Sequence, residues 1–246
     1  MGKTLLTSLL LFITTFTFGQ TYNEEIGAPM VVLTEEDPWL MVIGSDVPTF
    51  VLYENGQIIY KKVENRKVKY FTVSLSKEET QAEIYKMGFS DSLLKLPSYI
   101  EAYRATDQPT NELILNFDSA RTFRVYGNLR NETARAATPK AFLTVYDYLK
   151  GYSHAKAMPW MPEEIEVLAT DYSHSKEKAA KWPATWPDLK SPETVSRGED
   201  LYSIYLPKEQ FESFLQLSQS LKEKQAVEIN GKKFSLSYRL PLPNIK

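Results

Sequence analysis

The stretch from Ala226 to Leu240 constrains the fold more than any other. Ala226 to Ile229 runs into Asn230-Gly231, after which Phe234, Leu236, Tyr238 and Leu240 alternate with Lys233, Ser235, Ser237 and Arg239. Asn-Gly supplies the two positive-φ residues of a tight hairpin turn, and a period of two puts every apolar side chain on one face of a strand. One face is core and the other is wet, which is the pattern of an antiparallel sheet covered on one side. The signal recurs: Phe50 to Glu54 and Gln57 to Lys61 flank Asn55-Gly56. Leu113, Leu115 and Phe117, followed by Arg121 to Tyr126, read as a further hairpin.

Helical spacing appears in three places. Phe142, Val145, Tyr146 and Leu149 follow Thr138-Pro139, and Phe211, Phe214, Leu215 and Leu221 follow Pro207. Both sets place one apolar stripe along a helix. Ser76-Lys77-Glu78-Glu79 has the form of a capping box and opens a helix carrying Ile84 and Met87. The fold class is therefore α+β, with antiparallel sheets built from Asn-Gly hairpins and about three amphipathic helices. No regular βαβ alternation and no Gly-rich strand-to-helix turn occurs, which argues against a doubly wound nucleotide fold.

The chain opens with Lys3, an apolar run from Leu5 to Phe16, and Thr17-Phe18-Gly19. This predicts a signal peptide over residues 1–19, cleaved before Gln20. The run is too short for a membrane span of roughly 20 residues. Residues 20–48 read as an extended leader. Residues 49–158 and 159–246 read as two α+β lobes or one continuous domain. Residues 173–199, rich in Ser, Lys and Pro, form the longest predicted loop. Removing residues 1–19 leaves 28 basic against 31 acidic residues, a net charge of about −3. Nucleic-acid binding needs a concentrated basic face, so that partner is not expected. No later segment is apolar enough to span a membrane, and the absence of cysteine rules out disulfides and a lipidated cysteine.

All four tryptophans adjoin one of the 14 prolines: Trp39, Trp160, Trp182 and Trp186. Proline fixes the backbone beside each indole and lowers the entropy lost in holding it. Such rings serve as platforms for a sugar or a partner, or as plugs at the core edge. Along a polyproline-like path, Trp182 and Trp186 would stand about 12 Å apart. Leu189 gives Trp186 an apolar companion, which predicts a buried Trp186, an exposed Trp182 and a mobile segment from Ser173 to Lys181.

The two histidines sit in matching pentapeptides, Tyr152-Ser153-His154-Ala155-Lys156 and Tyr172-Ser173-His174-Ser175-Lys176. With Asp171 they form a candidate two-histidine, one-carboxylate metal site, provided that the two loops meet. No His-Glu-x-x-His, Gly-x-Ser-x-Gly, phosphate loop or calcium loop is present, so no cofactor is expected. These features predict an exported, non-catalytic binding protein of the cell envelope or secretome, with a protein or glycan partner held by the tryptophan loops. The alternative is an envelope hydrolase acting on glycan or peptide, whose acids or histidines meet only in the fold.

Overall fold

A computed structural model describes residues 22–40, 42, 45–64 and 67–245. The predicted signal peptide and its cleavage point before Gln20 lie outside the described residues. The described residues form two β-sheets and five α-helices. The first sheet contains β1 (Pro29–Glu36), β2 (Phe50–Tyr53), β3 (Gln57–Glu64), β4 (Lys67–Ser74), β5 (Tyr99–Glu101), β6 (Thr110–Asn116), β7 (Ala120–Tyr126) and β8 (Met158–Trp160). Their order is β5-β7-β6-β1-β2-β3-β4-β8. β5 runs parallel to β7, whereas β1 is antiparallel to both its neighbours, β2 and β6.

The expected leader thus contributes a central strand. Val31 and Leu33 of β1 face one core while Val32 faces another. A strand covered on both faces shows a continuous apolar run and no alternation, which is why Met30 to Leu33 carries no period-two signature. Four helices cover one face of this sheet: α1 (Lys77–Lys86), α2 (Asp91–Leu94), α3 (Glu132–Ala137) and α4 (Lys140–Lys150). Phe142, Val145 and Leu149 of α4 pack against Leu33, Phe50 and Leu52 in that core. At the start of α1, Ser76 Oγ accepts from the Glu79 N–H at 3.2 Å, and Glu79 Oε2 accepts from the Ser76 N–H at 2.9 Å. Two of the orphan donors at the helix end are thereby satisfied.

The second sheet contains β9 (Glu164–Asp171), β10 (Ala180–Lys181), β11 (Val195–Gly198), β12 (Leu201–Pro207), β13 (Val227–Ile229) and β14 (Lys232–Arg239), in the order β10-β13-β14-β9-β12-β11. On one face Val167, Ile204, Leu206 and Phe234 receive Phe214 of α5 (Phe211–Ser220). Residues 173–199, expected as one long loop, supply β10 and β11. Within the segment expected to be mobile, Ser175 is buried and its hydroxyl donates to the Lys224 carbonyl at 2.7 Å.

The two sheets share a core. Val32, Val51, Ile59 and Tyr70 on the outer face of the first sheet meet Ile165, Leu240 and Leu242. The C-terminal tail is tied down beside them. Tyr53 donates to the Pro243 carbonyl at 2.9 Å, and Asn244 Nδ2 donates to the carbonyls of Asn23 (2.9 Å) and Gly27 (2.7 Å). Asn244 sits at φ 55°, a conformation that asparagine tolerates better than most residues. Among the described residues no helix is long and apolar enough to cross a membrane.

Candidate functional site

Residues of both sheets line a cleft of about 1520 Å³. One wall is formed by the end of β1 and the turn that follows it. There the Asp37 N–H donates to Asp46 Oδ1 at 2.8 Å, and the Trp39 N–H donates to Asp37 Oδ1 at 2.9 Å. Asp37 therefore turns the chain through its own side chain and presents Trp39 with 75% of its surface exposed. Trp160, in edge strand β8, also lines the cleft. Its ring meets that of buried Tyr70 edge-on at 6.0 Å. A smaller depression of about 560 Å³ also borders Trp160 and includes Glu164 and Tyr205.

Glu35, Glu36, Asp46 and Lys61 are among the titratable groups that line the cleft. Glu35 is held on three sides: it accepts from Tyr146 at 2.9 Å, from Thr49 at 3.0 Å and from the Lys150 ammonium. Burial pushes its carboxyl up, but the Lys150 hydrogen bond and charge, with the two hydroxyls, outweigh burial and hold it below the ordinary range. Glu36, on the opposite face of β1, is pushed up by burial and by Glu112, with Arg124 offsetting part of the effect. Asp46 is pushed up by burial and by the charge of Asp37, against backbone hydrogen bonds that lower it. Burial lowers the Lys61 ammonium, opposed by Glu35 and Asp46 and assisted by Lys150. The wall thus places carboxyls raised by burial beside one held low by an ammonium.

The other sequence candidates lie elsewhere. Trp182 is 8% exposed, and Trp186, half-buried, meets it edge-on with ring centroids 5.0 Å apart. Both pack against the core of the second sheet. The expected ranking of Trp186 over Trp182 is reversed, and so is the extended path between them. β10 pairs with β13, and the Trp182 N–H continues the pairing by donating to the Glu228 carbonyl at 3.1 Å. That register turns Ala180 and Trp182 towards the core. The Trp186 N–H then donates to the Pro183 carbonyl at 3.1 Å, closing a turn that brings the rings together. The indole N–H of Trp182 donates to the Pro187 carbonyl at 2.9 Å, satisfying the one polar atom that burial would otherwise strand.

The histidines do not meet. His154 follows α4, and its Nδ1 accepts from the Lys156 N–H at 3.2 Å. His174 follows β9 and is exposed, set edge-on against Tyr172 at 4.6 Å. Asp171 accepts from Ser173 at 2.9 Å. No group of three His, Asp or Glu residues among the described residues is placed to hold a metal ion.

A second constellation escaped the sequence reading. Glu166 of β9 has a side chain 1% exposed. Its Oε1 accepts from Arg197 Nη2 at 2.7 Å and from Ser203 Oγ at 2.6 Å, and its Oε2 accepts from Arg239 Nε. Burial raises this carboxyl, but hydrogen bonds from Arg239 and Ser203 and the two guanidinium charges prevail and lower it. The signal was present in the sequence as a lone acid inside the apolar run Ile165 to Ala169, since a charge in a buried strand needs partners. Comparison of the chain with known protein families, characterised proteins and solved structures finds no match.

Proposed function

We propose that the chain is an exported, non-catalytic binding protein that takes a glycan in the cleft between its two sheets. Trp39 carries this reading. A turn that two aspartates hold in place leaves its indole three-quarters exposed on the wall of a cleft, an apolar face fixed and ready for a ligand to cover. Trp160 adds a second ring, and Gln216, Gln219 and Glu212 of α5 line the same cleft. Apolar ring faces combined with planar polar side chains suit the two faces of a sugar, one of C–H groups and one of hydroxyls. Export rests on the predicted signal peptide over residues 1–19, and mass analysis of protein from the native host should find an N-terminus at Gln20. An intact Met1 in a cytosolic fraction would sink that part.

The binding test is a titration with soluble envelope-type glycans read by calorimetry. Trp39→Ala should weaken binding by roughly thirtyfold, as for a central aromatic contact of about 2 kcal/mol. Its melting curve should stay within about 0.5 kcal/mol of the parent because the ring packs on little. Binding unaffected by Trp39→Ala and by Trp160→Ala would refute the cleft as the site. The hydrolase reading is favoured by one observation, the shared presence of Glu36 and Asp46, both with raised carboxyls, on one wall. Release of sugar ends that stops in Glu36→Gln would put hydrolysis in place of binding.

A further inference from the structure

We infer that Arg197 and Arg239, held on the two oxygens of the buried Glu166 carboxylate, form a clamp for one oxyanion, a phosphate or carboxylate group, on the face of the second sheet opposite α5. The face follows from the register. Val167, Ile204 and Phe234 point to α5, so Glu166, Ser203 and Arg239 point the other way. Arg239, Glu166 and Tyr205 stand directly across from one another on β14, β9 and β12. Arg197 reaches the group from β11, where the register shifts between Ser196 and Gly198. A bulge of this kind re-aims a side chain.

Charge and donor counts both point outward. One buried carboxylate is neutralised by one guanidinium, and here it holds two, which leaves a residual positive charge at the surface of the sheet. Arg197 spends Nε on Ser203 at 2.7 Å and Nη2 on Glu166, and Arg239 spends Nε on Glu166. Among the described residues, Arg197 Nη1 and both terminal nitrogens of Arg239 have no hydrogen-bond partner. The two side chains are 39% and 21% exposed, so these donors lie at the boundary with water. Planar forks with free N–H groups match the oxygens of a phosphate or carboxylate. The buried carboxylate and Ser203, itself fully buried, hold both forks in place before the anion arrives. Little conformational entropy then remains to be lost on binding. Arg239 also borders the cleft, whereas Arg197, Glu166 and Ser203 do not, and the clamp stands without the glycan reading.

The test uses the full chain, titrated with inorganic phosphate and, separately, with acetate, each against chloride at equal ionic strength. The arginine Nε–H signals provide the readout by nuclear magnetic resonance. Saturable shifts at one anion per chain are expected. Saturation by phosphate alone assigns a phosphate group, and saturation by acetate alone assigns a carboxylate. The double variant Glu166→Gln, Arg239→Gln removes one charge of each sign and should weaken binding by at least about tenfold. Arg197→Lys, which keeps the charge and loses the fork, should weaken it by several-fold and carries the test should the double variant not fold. Shifts no larger than chloride produces, or binding undiminished in the folded variants, would overturn the clamp.

Discussion

Replacing Glu166 by alanine should destabilise the protein by about 3 kcal/mol in urea melts. Removing one member of a buried ion pair costs roughly 3–5 kcal/mol because the remaining charge loses its partner. The lower end applies here, since both guanidiniums reach water and can turn towards it. Ser203 cannot, and its buried hydroxyl loses the acceptor it now donates to at 2.6 Å. Acid should act on the same group. Its folded carboxyl lies below the ordinary 4.5, so the stability it contributes is present in full above that value. That contribution is lost as pH falls through the lower, folded value. Glu35 adds to the slope in the same direction. The gap in stability between the parent and Glu166→Gln should therefore close as pH is lowered below 4.5. A gap that stays constant down to pH 2 would show that the carboxylate does not act through its charge.

Trp182→Ala should cost about 3–5 kcal/mol, the usual loss for a buried large aromatic, and Trp186→Ala no more than about half of that. Trp182 loses nearly all of its buried surface, the hydrogen bond from its indole to the Pro187 carbonyl and its edge-on contact with Trp186. Trp186 is only half-buried and loses chiefly the ring pair, worth about 0.5–1.5 kcal/mol beyond area. Denaturant melts of the two variants give the ranking directly. A Trp182→Ala protein within about 1 kcal/mol of the parent would mean that the ring is no plug. Neither variant should change binding in the cleft, which separates this pair from Trp39 and Trp160.

Local sequence carried part of this outcome and misled on another part. The reciprocal cap at Ser76 and Glu79 depends on residues three apart and is legible before any fold exists. So is the alternation in Phe234 to Arg239, which separates the α5 face from the face that bears Arg239. β1 was hidden for the opposite reason: a strand covered on both sides leaves no period to read. The nearness of Leu189 in sequence favours Trp186 over Trp182. Burial was decided instead by the pairing of Ala180 and Lys181 with Val227 and Glu228, residues 47 positions away along the chain.

A mixed fold without disulfides, its clearest strand, its helix cap and the four proline-stiffened indoles are all legible in the order of residues. Each depends on covalent neighbours and on a repeat of two or 3.6 residues. Tertiary structure alone decided which indoles are plugs and which stand at a cleft, and that Glu166 gathers Arg197 and Arg239. Those outcomes follow from the order in which strands join a sheet. The cost of closing the intervening loops grows only slowly with their length, so distant partners compete on nearly equal terms with near ones, and a side chain's immediate neighbours in sequence do not say where it will be buried.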